Sequence, residues 1–471
     1  MVLTADRKLA AAILLAMCMS VSAQAQTLEE ALAMAYEYNP DLRAARESLK
    51  ATDEQLAQAL AYWWRPTFDV ILTDQYQHID QSTDQQFVNG GVAVQDFREE
   101  THTQSIELES ELYLYNGGQT QAAIENARAT IQAQEAVLAA TEMTTLQSVS
   151  SSYADVVLQI VSLELSNQYL GELADLHLMV TDMLASQRAT VGDLAQVDLS
   201  IAEGEDTRLS TETDLQTARN QFRSLTGILP NALQRWPALP AVPETLREAL
   251  DIAMSSNPNL AAAQAEVTAN EAAVREDEGT LLPIISVTAD YTVEFDKERF
   301  SHSQNGLEHD RENTATIMLQ LTFPLYDGGT SYSLVREAKR VVSQSRANLQ
   351  KAVATVENDV TTAWQTLDLS ERRIDAGMER WLAASEALAA QFRLFSQGEA
   401  TIQDLIDAHE DLSSAELAVE QAQHDSFNAH VDLLVAMGLY DARYLNLPVT
   451  FYDPRAYLRE ITDLPFGIGL D

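Results

Sequence analysis

Several acidic residues alternate with apolar ones, and the alternation limits the chemistry open to them. Asp69 lies among Phe68, Val70 and Leu72; Glu107, Glu109 and Glu111 interleave with Ile106, Leu108 and Leu112; Asp290 and Glu294 interleave with Ala289, Tyr291, Val293 and Phe295. A period of two puts the carboxylates on one face of a strand and the greasy residues on the other. Such a row attracts cations; it is not a catalytic pair. Asp404 and Asp407 stand three apart, on one face of a helix. Nothing else gathers. The eight histidines are scattered, with no His-Glu-x-x-His. Gly117-Gly118 and Gly328-Gly329 follow strands but lack the lysine of a phosphate-binding loop. The chain is expected to be no enzyme and to need no cofactor or metal.

The elements that position these acids come in pairs. Ala315, Ile317, Leu319, Leu321 and Phe323 share one face of a strand. Tyr326-Asp327-Gly328-Gly329 then opens a long helix with apolar residues at steps of three and four. The same switch occurs earlier, where the strand over 106–114 meets Tyr115-Asn116-Gly117-Gly118 and another long helix. Leu28-Glu29-Glu30-Ala31-Leu32 returns as Leu246-Arg247-Glu248-Ala249-Leu250, and Asn39-Pro40-Asp41-Leu42 as Asn257-Pro258-Asn259-Leu260. The chain is an internal duplication whose loops differ in length. It divides into a leader (1–25), a first repeat (26–227), a linker (228–245), a second repeat (246–438) and a tail (439–471).

The leader reads as a secretory signal: Arg7 and Lys8, an apolar run over 9–19, then Ala23-Gln24-Ala25. The single cysteine, Cys18, falls inside that run, and Met17 before it departs from a lipoprotein cleavage pattern. A net charge of −41 repels nucleic acid and attracts cations. A hydrophobic content of 46% in strict periodicity argues against disorder. Beyond the leader no apolar run could span a bilayer as a helix, so any crossing is made by strands.

In order, helices are expected over 28–38 and from Asn39 to about 64, ended by Pro66. A strand from 68 follows, less regular because Asp74 falls on its apolar side, and a polar loop covers 79–102. A helix runs over 119–187, roughly 100 Å long. Gly192-Asp193 marks a reversal and a helix returns over 194–225. The second repeat is expected as a helix over 244–281, the corner at Pro283, a strand, a polar loop over 297–311, the second strand, a helix to about 397, a reversal at Gly398 and a helix over 402–437. The tail has no clear period.

Four strands cannot close a barrel, and an open edge in lipid costs several kcal/mol per unsatisfied group. Three copies supply twelve strands, with the acids lining the lumen and the helices continuing the ring as a tube of coiled-coil-like pairs. The alternative is the wet face of a soluble sheet.

The repeated Leu-x-x-Ala-Leu pattern with Asn-Pro-x-Leu, the two Tyr-Asn/Asp-Gly-Gly turns and the corners at Pro66 and Pro283 together resemble the TolC-like outer membrane channel family. The likeness covers nearly all of the chain beyond the leader. It implies an α+β membrane protein: a homotrimer with a twelve-stranded outer membrane β-barrel, seated in outer membrane lipid and continuous with a periplasmic α-helical barrel. It also implies a periplasmic adaptor and an inner-membrane transporter, ABC-type or proton-driven, as partners. Asp404 and Asp407 match the family's paired aspartates, which form acidic rings at the periplasmic entrance; Asp193 matches the acid at the first reversal. The other reading of these acids is that they complement a helix dipole. Phe395 and Ala400 stand where the best-known gate has a tyrosine and an arginine, so the hydroxyl and the charge are missing. The tail over 445–454 looks like that of members serving type I protein secretion. The expected function is an exit duct for such secretion, with small-molecule or drug efflux, or a structural periplasmic coiled-coil spacer, as alternatives.

Overall fold

The computed structural model describes residues 26–63, 65–86, 92–230, 232–300 and 308–462. The expected leader, with Cys18, lies outside the described residues. The first repeat holds helices α1 (Leu28–Tyr38) and α2 (Pro40–Ala61), strands β1 (Thr67–Gln86) and β2 (Val92–Asn116), and helices α3 (Gln119–Ala185) and α4 (Val191–Thr226). The second holds α5 (Leu246–Ser256), α6 (Pro258–Gly279), β3 (Ile284–Phe300), β4 (Glu308–Thr322), α7 (Thr330–Gln397) and α8 (Ile402–Ala436). Helix α9 (Ala456–Thr462) follows in the tail, where no period was legible.

The helix expected over 244–281 is divided at Asn257. Asn257 receives the last turn of α5, its N–H donating to the Ala253 carbonyl, and its Oδ1 then accepts the Asn259 N–H at 2.9 Å. Pro258 fills the first position of α6, where a missing N–H costs nothing. Asn39 does the same between α1 and α2, accepting from Asp41 N–H at 2.9 Å. Each asparagine also reaches a distant helix end: Asn39 Nδ2 donates to the Leu225 carbonyl, Asn257 Nδ2 to the Ala436 carbonyl at 3.0 Å. The chain leaves α8 through Gly438 at φ +79°, where a Cβ would lie 2.7 Å from the Asn257 Cα.

The chain forms two compact units. The first contains residues 26–49, 134–263 and 349–454; its core includes Leu146, Tyr153, Phe222, Leu433 and Tyr440. Its tail segment is pinned by Arg46, whose guanidinium lies 4.5 Å from the Tyr36 ring centre and 5.2 Å from that of Tyr452. The second contains residues 50–133, 264–348 and 455–462 and carries the sheet; small residues such as Ala122, Ala127, Ala269 and Ala272 let its helices approach.

The sheet is antiparallel throughout, in the order β1-β2-β3-β4, so among the described residues one edge of β1 and one of β4 are unpaired. Its strands are longer than the sequence suggests. The stretches expected as loops over 79–102 and 297–311 are largely strand: β1 continues to Gln86 and β2 starts at Val92, β3 continues to Phe300 and β4 starts at Glu308. Hydropathy alternation reports one-sided burial. Where both faces are polar it disappears, while the backbone ladder persists.

Candidate functional site: the polar sheet face and the helix reversals

The strand register fixes which acids share a face. Asp69 lies opposite Glu109, which lies opposite Asp290; Glu107 pairs with Ile71 and Thr292, Glu111 with Thr67 and Thr288, and Glu294 with Ser105 and Glu312. All six acids singled out in the sequence therefore project from one side. Carboxylates directly opposite one another repel, which a protein tolerates where water and counter-ions reach them. The other face carries Phe68, Val70, Leu72, Leu108, Tyr291, Ile317, Leu319 and Leu321. Exposure is the reverse of a soluble sheet's: Leu72 is 73% and Ile317 82% exposed, whereas Glu107, Glu109, Glu111, Asp290 and Glu294 are half-buried. From Ala315 in β4 to Phe323 just past its end, the apolar band at about 3.3 Å per residue and a 40° tilt stands roughly 20 Å tall, near the roughly 25 Å of a membrane barrel's band. Among the described residues no helix is long and apolar enough to cross a membrane.

The two reversals of the long helices are built alike. At the first, Gln187 takes φ +58°; its N–H donates to the Leu184 carbonyl, and that of Arg188 to the Met183 carbonyl at 2.8 Å. At the second, Gly398 takes φ +77°, with the equivalent bonds from Gly398 to Phe395 and from Glu399 to Leu394 at 2.9 Å. Both are left-handed helix caps that satisfy the last carbonyls. Three residues later each chain re-enters a helix through a reciprocal cap. Thr190 N–H donates to Asp193 at 2.7 Å and Asp193 N–H to the Thr190 hydroxyl; Thr401 and Asp404 repeat both bonds. The first reversal therefore turns at Gln187, not at Gly192-Asp193: Gly192 lies inside the first turn of α4. Glycine was the visible mark of a turn, and a left-handed glutamine leaves none.

Asp193 and Asp404 thus serve as helix caps, and the Thr401 N–H and hydroxyl hold the Asp404 carboxyl below its ordinary range. Asp407 is exposed and accepts from Gln403 at 2.6 Å. Leu176, Val180, Val197, Ile402, Leu405 and Ile406 form one buried cluster beneath the reversals, and Phe395 packs against it. Ala400 is half-buried beside Thr401. The turns at 117–118 and 328–329 are left-handed at both glycines, and Asp327 caps the second by accepting from Gly329 and Ser331 N–H at 3.0 and 2.7 Å. Pro66 directly precedes β1, and Pro283 directly precedes β3.

Two features had no signal in the sequence because their parts lie far apart along the chain. A cavity of about 480 Å³ lies among Glu172, Met179, Leu388, Phe392 and His409, with His409 Nδ1 2.8 Å from Glu172. His424 sits between Asp155, at 2.8 Å, and Asp425, at 3.2 Å, with the Trp236 ring edge-on to it. Among the described residues no cluster of histidine, cysteine, aspartate or glutamate could hold a metal ion.

An open sheet with a bilayer-sized apolar face, joined to capped helical hairpins, defines an outer membrane channel subunit. Comparison with known proteins agrees. Residues 31–228 and 249–439 match the outer membrane efflux protein family, and the chain belongs to it. It is 28% identical over 454 residues to the outer membrane efflux protein BepC of Brucella suis, covering 95% of this chain and 93% of that one. It is 24% identical over 217 residues to the alkaline protease secretion protein AprF of Pseudomonas aeruginosa, covering 45% of this chain and 43% of that one. The crystal structure of the Vibrio cholerae outer membrane protein VceC superposes with a TM-score of 0.70 at 19% identity, covering 87% of this chain and 96% of that one. Members of this family are outer membrane channels of tripartite export systems, not enzymes.

Proposed function

We propose that three copies of the chain close a twelve-stranded barrel in the outer membrane and a helical tube in the periplasm. In this reading the duct passively conducts cargo delivered by a periplasmic adaptor and an inner-membrane transporter. The carrying observation is the sheet with an exposed apolar face and two unpaired edges, which satisfies its backbone in lipid only when neighbouring copies seal it. Residues 26–227 and 246–438 act as the two structural repeats, joined by 228–245, with 439–471 as a strap. Asp69, Glu107, Glu109, Glu111, Asp290 and Glu294 line the lumen. Asp404 and Asp407, with Asp193, form carboxylate rings at the entrance, where three copies of each would concentrate cations. Phe395 and Ala400 leave the closed entrance to be held by packing.

Type I protein secretion is the favoured cargo class, supported by the tail over 445–454 and by the similarity to AprF, a protease secretion protein. Small-molecule efflux is the second reading, favoured by the similarity to BepC, an efflux protein, along almost the whole chain. A coiled-coil spacer gives the sheet no task. Deleting the gene from its host separates the first two: loss of a protein from the medium with unchanged drug susceptibility supports secretion, and the opposite pattern supports efflux. A mature product that is monomeric and soluble without detergent would overturn both.

A further inference from the structure

Within the second unit the two repeats meet along one seam, and the duplication allows that seam to be carried over to its missing counterpart. The hairpins superimpose in register: Thr67 pairs with Glu111 as Ile284 pairs with Thr322. Positions 217 residues apart therefore correspond between β1 and β3, and positions 211 apart between β2 and β4. The separation of 217 also relates Pro66 to Pro283, and 211 relates Gly117 to Gly328. β2 and β3 pair across the seam, with Ser110 opposite Ala289, Glu109 opposite Asp290 and Glu107 opposite Thr292. Applying the same shifts gives Leu321 opposite Leu72, Gln320 opposite Thr73 and Met318 opposite Gln75. In one copy these partners lie on the two unpaired edges.

The helices next to the sheet repeat the asymmetry. Gly117 sits so close to the end of α6 that a Cβ would lie 2.1 Å from the Gly279 carbonyl oxygen, whereas a Cβ on Gly328 would meet nothing within 4 Å beyond its chain neighbours. A cavity of about 570 Å³ is walled by Gln55, Ala59, Ala123 and Asn126 and closed by Glu276 and Ile284 of the other repeat. Between α2 and α6 the spacing is 218, as from Asn39 to Asn257, and between α3 and α7 it is 211; Ala273, Asp277, Leu334 and Glu337 are therefore the counterparts of those four wall residues, and they line an open groove of about 250 Å³. The counterparts of the closing residues, Gln58 and Thr67, do not line this groove.

We infer that the groove along α6 and α7 and the turn at Gly328 seat the α2–β1 corner of a second copy, whose β1 pairs antiparallel with β4, placing Gln320 against Thr73 and Leu321 against Leu72. The occupant is set by the repeat itself: the same groove one repeat earlier is closed by this chain's own α6–β3 corner. The inference rests on the trimeric reading and adds the register and the residues of the junction. The register is chemically consistent, because Leu321 and Leu72 belong to the apolar face and Gln320 and Thr73 to the polar one. The two junctions differ in charge. Glu125 and Arg275 bridge the seam within the chain at 2.5 Å, while Arg336 and Ala57 hold the corresponding positions of the projected one.

Cysteine cross-linking of the full chain in outer membranes tests the register. Residues opposite each other on antiparallel strands lie about 4.5–5.5 Å apart, within disulfide reach, and a diagonal offset of two residues exceeds it. Thr73→Cys with Gln320→Cys, and independently Gln75→Cys with Met318→Cys, are expected to give covalent trimers on oxidation. Thr73→Cys with Met318→Cys, and each single variant, are expected to remain separable. Heat-modifiable migration of unoxidised samples reports assembly separately. Assembled trimers in which both in-register pairs fail, or in which the offset pair links better, overturn the inference and leave the trimer standing. A protein that never assembles overturns both.

Discussion

Asp74 and His102 lie 2.6 Å apart, carboxylate to imidazole, on the sheet face that otherwise bears Phe68, Val70 and Leu72. Asp74 breaks the alternation of β1, and its partner on the adjacent strand explains how it is tolerated. The pair also marks where the apolar band thins, since Asp74, Gln104 and Arg311 lie in one row across this face, with only Phe295 among them. A double-mutant cycle with Asp74→Leu and His102→Leu, read from the temperature at which trimers dissociate in detergent, should give a coupling of roughly 1 kcal/mol. Strict additivity would mean that the contact contributes nothing.

The two acids of the second reversal can be separated, because one caps a helix and the other does not. Asp407→Asn should lower cation selectivity and divalent block in planar bilayers without changing thermal stability. Asp404→Ala should lower selectivity and thermal stability together, because it also removes the reciprocal cap with Thr401. The Asp404 carboxyl is held below its ordinary range, so its contribution is present above the unfolded pKa and is lost as pH falls through the folded one. Selectivity unchanged in the double variant would remove the carboxylate ring.

His424 gives the opposite pH dependence. Burial pulls its pKa down, but Asp155 and Asp425 outweigh that and raise it above the ordinary histidine value. The stabilisation is complete below the unfolded pKa and is lost as pH rises through the folded one. Nearby, Glu420 accepts from Trp236 at 3.1 Å. His424→Gln should therefore lower the melting temperature at pH 5 more than at pH 9. Equal losses at both would show that the ring acts only through packing.

Gly438→Ala should cost roughly 2 kcal/mol or more, because φ +79° strains a side chain there and the Asn257 backbone blocks it. Gly171→Ala, inside α3 with nothing within 4 Å, should be neutral or stabilising by up to about 1 kcal/mol. Thermal melts in detergent would detect a reversed order.

The long helices, the apolar faces and the duplication were legible because each repeats a period over many residues. Asn39-Pro40 was legible as a helix boundary; Asn257-Pro258, with the same chemistry, was hidden within an alanine-rich stretch of helical character on both sides. The strand ends vanished where both faces turned polar. Gln187 escaped because its left-handed backbone follows from the cap around it, not from its own preference. Asp155 beside His424, and Glu172 and Met179 beside His409, come from segments more than a hundred residues away, and no local pattern records such meetings.

The spacing of 211 residues between Gly117 and Gly328 recurs for Thr190 and Thr401 and for Gly227 and Gly438. By contrast, 51 residues separate Pro66 from Gly117, and 45 separate Pro283 from Gly328. Length has drifted mostly in the hairpins; elsewhere up to Gly438 only the approach to the corner differs, with Pro66 following Pro40 by 26 residues and Pro283 following Pro258 by 25. Each residue added to a helix turns everything beyond it by about 100° and advances it by 1.5 Å, so a single-codon indel in α3 or α7 would throw one half of the molecule out of step with the other. Epitope tags and other insertions belong at the hairpin ends, where the gene has already accepted them.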